Sequence, residues 1–337
     1  MKSPLALTMI LFLSVLSAWS QSPAPSMSGQ SPDPSAVSAA SDTSTSEVNE
    51  FLNPPAGVET RGDVSYLPEG RKEKMDLYLP KNRPAGTLSP AVLLIHGGGW
   101  TGGDKRQARE IEIGSTLAEN GFIAASINYA MKSEGKYPLN LQDCKNGIRY
   151  LRAHAKELGI DQNKIAVLGG SAGGHLALMV GYTSGDASLA PTSPYPGFTD
   201  NVSAVIDMYG VTDIGNRKKT DKEGNPQQLR EVEPQVKKIF GVTESDWKKA
   251  SPITYVRKDV PPTMILQGRK DTTVDRDQSQ SLFEALTKAG AVTEIIYLDK
   301  AGHTFSFKYA ATKAKKPLER DIGPEVITFL KKHLGIS

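Results

Sequence analysis

Between residues 64 and 334 the chain alternates short apolar runs with longer amphipathic stretches. Two early segments, 64–67 and 75–79, alternate apolar and polar side chains, as half-buried strands at an antiparallel edge do. Six continuous apolar runs follow, at 91–95, 122–125, 165–168, 205–208, 264–266 and 295–298. Uninterrupted runs of this kind suit parallel strands covered on both faces. Helical periodicity falls between them, at 110–120, 141–158, 174–183, 278–289 and 324–334. Strands interleaved with helices in this order predict an α/β fold: a mostly parallel eight-stranded sheet with helices on both faces. One interval breaks the rhythm. Residues 215–249 are polar and charged, with one amphipathic stretch near Val236–Phe240, and read as a small cap inserted after a strand.

The start of the chain follows other rules. Lys2, the apolar run from Leu5 to Leu16, and the small residues Ala18 and Ser20 before Gln21 have the grammar of a secretory signal peptide over residues 1–20. The run falls short of the ~20 apolar residues that a membrane-spanning helix needs. No Cys follows it to carry a lipid. Residues 21–50 contain nine Ser, four Pro and no aromatic residue. Such a stretch buries too little apolar area to offset chain entropy and is expected to be a disordered tether. A single catalytic domain is then expected over residues 51–337, in a protein that is secreted or periplasmic.

Composition narrows the function classes. The 40 Lys+Arg nearly balance 37 Asp+Glu, and basic runs such as Arg217-Lys218-Lys219 and Lys315-Lys316 are short and scattered. Nucleic-acid binding, which needs a concentrated basic face, is not expected. A single Cys makes neither an intramolecular disulfide nor a Cys-based zinc site. No His/Asp/Glu cluster has metal-ligand spacing, so neither metal nor cofactor is expected.

Two motifs carry chemistry. Gly169-Gly170-Ser171-Ala172-Gly173 sits between an apolar strand and a helix-forming run. The G-x-S-x-G pattern sets Ser in a sharp turn where neighbouring bulk is forbidden, with its hydroxyl exposed at a helix N-terminus. The second motif, His96-Gly97-Gly98-Gly99-Trp100, also ends a strand. Consecutive glycines let backbone N–H groups turn toward a bound anion, as an oxyanion hole requires. A phosphate-binding turn would need the G-K-[ST] or G-x-G-x-x-G spacing that this loop lacks.

With both motifs in place, the chain resembles α/β-hydrolase carboxylesterases of the hormone-sensitive-lipase-like group with an H-G-G-G-W motif. Within that group it is most similar to bacterial secreted bifunctional deacetylase/feruloyl esterases. The marks of the resemblance are His96–Trp100, Gly169–His175, Ala250–Tyr255 and Gln278-Ser279. It implies Ser171 as nucleophile and the N–H groups of Gly98, Gly99 and Ala172 as oxyanion donors. Two departures stand out: Gln267 replaces the usual His before Gly268, and Asp275 replaces the Pro that usually follows Val274. Neither position is catalytic in the family pattern, so both read as changes of loop shape.

A Ser hydroxyl needs a base, and imidazole has the right pKa for the task. Of five His, His96 opens the glycine loop and is expected to hold it by hydrogen bonding. His154 lies on a polar helix face, and His333 is close to the C-terminus. His175 is one helical turn past Ser171 and points away from it. His303 follows the last apolar strand, where the Ser–acid–His order of α/β-hydrolases puts the base. Between Ser171 and His303, Asp271, Asp275 and Asp277 all follow a strand that stops at Gly268, with Asp207 and Asp213 after the preceding strand. The resembled pattern Gly-x-x-Asp-x-x-Val falls on Gly268, Asp271 and Val274 and selects Asp271. Its task would be to fix the His tautomer and stabilise imidazolium.

Cys144 reads as a buried filler, Trp247 as a structural anchor, and Trp100 as either packing or one wall of the substrate pocket. The expected activity is hydrolysis of short-chain acyl esters, of small molecules or carbohydrates. The resemblance suggests acetyl or feruloyl groups on polysaccharide. An amidase or peptidase using the same triad, and a non-catalytic glycan-binding relative, are the rivals.

Overall fold

Alternation along the apolar runs sends Ala91, Leu93 and Ile95 into one hydrophobic layer and Val92 and Leu94 into another. One strand thereby serves two cores. The computed structural model describes residues 44–84, 86–220, 226–228 and 232–336. Its strands are β1 (Val58–Val64), β2 (Met75–Pro80), β3 (Ser89–Ile95), β4 (Ile123–Ile127), β5 (Ile160–Gly170), β6 (Ala204–Met208), β7 (Lys218–Thr220), β8 (Pro226–Gln228), β9 (Thr263–Gly268), β10 (Thr293–Leu298), β11 (Tyr309–Ala311) and β12 (Lys316–Pro317). The helices are α1 (Thr45–Leu52), α2 (Ala108–Glu119), α3 (Leu139–Ala153), α4 (Ala155–Leu158), α5 (Ala172–Tyr182), α6 (Pro234–Phe240), α7 (Glu244–Lys249), α8 (Arg276–Ala289) and α9 (Gly323–Leu334).

Eight strands form one sheet in the order β1-β2-β4-β3-β5-β6-β9-β10. Only β2 runs against the rest. Buried side chains of α3, α5, α6 and α8 pack in one layer and those of α1, α2 and α9 in the other. This is the doubly covered, mostly parallel sheet that the apolar runs predict. Its consequence is positional. The loops after β3, β5, β9 and β10 all leave the sheet from the same edge, the carboxyl ends of parallel strands, where α/β sheets build their sites.

Several expectations need correction. The first strand spans Val58–Val64, not 64–67, because edge pairing with β2 accepts the charged sequence Glu59-Thr60-Arg61 that carries no apolar signal. Strand β2 is interior and buried over Met75–Leu79. Its polar member, Asp76, is buried too, bonded to Arg106 Nε at 2.5 Å. Conversely β10 is a half-exposed edge, not a strand covered on both faces. The helical stretch 141–158 breaks into α3 and α4 at His154, which stacks on Tyr150.

The expected tether also ends early. Residues 45–50 belong to α1, whose Ser44 and Glu47 form a reciprocal capping box. Glu47 also accepts from Ala108 N at 3.0 Å, and Phe51 is buried against Tyr78. The expected signal peptide and the rest of the tether lie outside the described residues. Among the described residues no helix is long and apolar enough to cross a membrane.

Candidate active site

Ser171 joins β5 to α5 with φ 57° and ψ −122°, a left-handed backbone that a non-glycine residue adopts only under constraint. The constraint is visible. Ser171 N–H donates to Met208 O at 2.9 Å, tying the turn to the end of β6. A methyl group at Gly169 would overlap the Gly173 carbonyl, and one at Gly173 would overlap the Ile95 carbonyl. The glycines of G-x-S-x-G are thus required by close backbone approach, to the start of α5 at Gly169 and to β3 at Gly173.

Ser171 Oγ lies 3.0 Å from His303 Nε2, and His303 Nδ1 lies 2.7 Å from Asp271 Oδ2. A buried carboxylate can only accept, so Nδ1 carries the proton and Nε2 is left to accept from the Ser hydroxyl. Asp271 is fixed by its other oxygen, which receives the N–H groups of Thr273 (2.8 Å) and Val274 (2.9 Å). The structure therefore brings Ser171, His303 and Asp271 together in one hydrogen-bonded relay. The other acids are engaged elsewhere. Asp207 accepts from Gly210 N at 2.9 Å, and burial pushes its carboxyl up to about 7. Asp213 accepts from the N–H groups of Gly215 and Asn216. Asp275 accepts from Lys218 N, and Asp277 pairs with the Lys218 ammonium. Burial pushes the Asp275 carboxyl up as well. The Asp275 departure thus ties β7 of the insertion to the loop that carries Asp271.

Gly98 and Gly99 have φ of +115° and +59°. The Gly98 carbonyl turns back to receive the N–H groups of Thr101 (3.1 Å) and Gly102 (3.0 Å). Ala172 opens α5, where the first N–H groups have no acceptor within the helix. Gly98, Gly99 and Ala172 line one cleft of about 350 Å³ with Ser171 and His303. An N-terminal helix dipole also points there, favouring negative charge. His96 holds the loop as expected: its Nδ1 donates to Gly97 O at 2.7 Å, and its ring stacks on Tyr129. Burial holds the His96 imidazole below its ordinary pKa.

Trp100 is both packing and wall. It is buried, yet the residue borders the cleft, and its Nε1 donates to His175 Nδ1 at 3.2 Å. His175 Nε2 donates in turn to Ala250 O at 2.7 Å. The two bonds fix a neutral tautomer, and burial pulls the His175 pKa down to about 4. Phe240 of α6 packs edge-on against both rings. Trp247 is an anchor, donating to Gly241 O at 2.9 Å. Cys144 is fully buried among apolar neighbours, and burial raises its thiol pKa far out of the nucleophilic range.

Sequence reasoning misjudged one neighbour and missed two. Gln267 Nε2 donates to Asp271 Oδ2 at 3.3 Å and is itself held by Ser279 Oγ at 2.8 Å. The departure at 267 therefore bears on the acid, not on loop shape alone; its unusual identity was the available signal. Tyr209 stands edge-on to His303 with ring centroids 4.9 Å apart, and its hydroxyl donates to Phe305 O. Arg217, from the start of the insertion, reaches the cleft and pairs with Glu233 at 2.9 Å. Neither residue belongs to a motif. Among the described residues no group of His, Cys, Asp or Glu could hold a metal ion.

The BD-FAE family matches residues 75–286. Esterase LipQ of Mycobacterium tuberculosis is 31% identical over 250 residues, covering 74% of this chain and 58% of that protein. The probable carboxylic ester hydrolase LipM of the same organism is 33% identical over 232 residues, covering 67% of this chain and 51% of that protein. The chain thus spans a little over half the length of these relatives. Among solved structures, a truncated carbohydrate esterase from gut microbiota superposes with a TM-score of 0.70 at 25% identity, over 84% of this chain and 99% of that one. A thermophilic esterase from Thermogutta terrifontis, solved with butyrate bound, gives a TM-score of 0.61 at 26% identity, over 82% of this chain and 92% of that one. With the family match covering well over half of its residues, the chain belongs to the BD-FAE family and has the α/β-hydrolase fold.

Proposed function

We propose that the protein is a serine carboxylic-ester hydrolase that removes short acyl groups from carbohydrate, acetyl or feruloyl esters foremost. The observation that carries this is the relay of Ser171, His303 and Asp271, with its links of 3.0 and 2.7 Å. In this reading His303 takes the Ser171 proton as Oγ attacks the ester carbonyl, and Asp271 stabilises the imidazolium. The developing oxyanion is held by the N–H groups of Gly98, Gly99 and Ala172, in a preorganised site of the kind worth several kcal/mol. His303 then protonates the leaving alcohol. Water, activated by the same imidazole, releases the acid and restores Ser171.

The names of the relatives, esterases and carbohydrate esterases, support ester hydrolysis on carbohydrate. The cleft of about 350 Å³ and the butyrate-bound neighbour support a short acyl group. The leader-like residues 1–20 support export to the periplasm or medium, where polysaccharide esters are met. A panel of acetyl, butyryl and feruloyl esters beside aminoacyl amides tests the reading. Ester turnover well above amide turnover is expected. Faster amide cleavage would make the protein an amidase or peptidase, and glycan binding without any turnover would make it a binding protein.

A further inference from the structure

A second hollow, larger than the catalytic cleft at about 830 Å³, lies beside the Trp100–Phe240 ring contact. Trp100 lines the catalytic cleft, while Thr101 and Phe240 line the second hollow. Four of its other lining residues are Lys132, Lys136, Lys238 and Lys249, brought together from three separate segments of the chain. The turn at Lys132 is fastened to Trp100 itself, its N–H donating to Trp100 O at 3.0 Å. Among the described residues no carboxylate lies within 4.0 Å of these four ammonium groups. Glu134 is taken by Lys72 and Glu244 by Lys248. The one lining carboxylate, Asp246, is occupied in capping α7 through Thr243 N and Oγ1.

Like charges gathered in a concave site repel one another and focus a positive field, which an anion relieves. The hollow also has an aromatic side. Tyr137 is half-buried beside Phe240, and its hydroxyl is anchored on Lys249 O at 2.9 Å, so its ring is held in place to meet the C–H face of a sugar. We propose that this hollow binds the negatively charged sugars, carboxylate- or sulfate-bearing, of a polysaccharide whose ester group enters the catalytic cleft. This rests on the reading of the chain as a carbohydrate esterase. The charge was invisible in the sequence because Lys132 and Lys136 lie far along the chain from Lys238 and Lys249. A strand of nucleic acid offers the same charge. The absence of Arg from the lining and the closeness to the catalytic cleft, through the consecutive residues Trp100 and Thr101, favour the polysaccharide.

The test measures binding with the Ser171→Ala variant of the full chain, so that no turnover intervenes, against polygalacturonate, a sulfated galactan, neutral xylan and single-stranded DNA. Both acidic polysaccharides, or one of them, should bind more tightly than xylan and DNA, with affinity falling at least about 10-fold between about 50 and about 300 mM NaCl. The added double substitution Lys136→Glu/Lys238→Glu should weaken that binding at least about 10-fold. Lys156→Glu/Lys313→Glu, an equal change of charge on exposed residues elsewhere, should not. Equal affinity for xylan, indifference to the Lys136/Lys238 change, or tighter binding of DNA would each overturn the proposal. Turnover of p-nitrophenyl acetate by the wild type separates the two readings. Ester hydrolysis without polyanion binding sinks the subsite alone, and polyanion binding without any ester hydrolysis sinks the esterase alone.

Discussion

Gln267 Nε2 donates to the same oxygen of Asp271, Oδ2, that accepts from His303 Nδ1. All polar atoms in this arrangement are buried except those of the imidazole, so the amide dipole acts on the carboxylate with little screening. Ser279 holds the amide by its oxygen, which fixes which end faces Asp271.

Replacing Gln267 by Ala should lower kcat about 10-fold while leaving KM nearly unchanged, because a hydrogen bond to a charged group contributes about 1.5–3 kcal/mol and this one steadies the acid rather than the substrate. Steady-state kinetics on p-nitrophenyl acetate checks this. A change confined to KM would mean that Gln267 shapes the pocket instead.

The glycines at the elbow yield a stability prediction. A Cβ at Gly97 would stand 2.9 Å from Gly170 O and 3.2 Å from the Ser171 Cβ, whereas one at Gly173 would collide with backbone of β3 and the loop after it. Gly173→Ala should therefore cost at least ~3 kcal/mol in urea unfolding or abolish soluble expression, as overpacking against rigid backbone does. Gly97→Ala, which also meets backbone at Gly170 O but less closely, should be destabilised by less than Gly173→Ala and should lose activity, since the shift it forces displaces Gly170 and the nucleophile Ser171.

His175 makes folding stability depend on pH. Its pKa falls from an ordinary 6.5 to about 4 in the folded state, through burial. Between those values the unfolded chain binds a proton that the folded one refuses, so acidification through that window lowers stability, by up to ~3 kcal/mol below pH 4. Asp207 works in the opposite sense: with its folded pKa raised from 3.8 to about 7, its contribution is full below pH 4 and is lost as pH rises through 7. The wild-type curve mixes the two. Urea unfolding of wild type and His175→Gln from pH 7 to 4.5 isolates the His175 share, and the wild type should lose stability relative to the variant on acidification. Parallel curves would contradict the assignment.

What the sequence revealed follows from how local each signal is. The parallel sheet was legible because strands covered on both faces must be apolar throughout, and the elbow because a backbone clash admits only small residues at fixed offsets. Strand β1 was illegible because an edge strand is selected for charge, and β2 misled because Asp76 is buried by an ion pair from distant Arg106. Helix α1 hid within Ser-rich sequence because its stability comes from a cap and from Glu47 reaching Ala108. At the site, Ser171 and His303 sit in motifs. Gln267, Tyr209 and Arg217 matter only through contacts that span the fold.

Acyl preference should follow the small cleft and the polar insertion. Of the described residues in α6, Val236, Ile239 and Phe240 are buried against the domain, and none of them lines the catalytic cleft where a long chain would need apolar cover. The value of kcat/KM should peak between acetate and butyrate in a p-nitrophenyl series and show no rise at a lipid–water interface. A maximum at octanoate or longer would mean that the insertion forms an apolar tunnel.

Ser171→Ala with p-nitrophenyl acetate decides whether Ser171 Oγ is the nucleophile activated by His303. The neighbouring backbone constrains this turn without the hydroxyl, so thermal unfolding should stay near that of the wild type. Turnover should fall at least about 10⁴-fold, as loss of the nucleophile does in enzymes of this kind. A folded variant that keeps turnover within about 10-fold of the wild type would contradict the account.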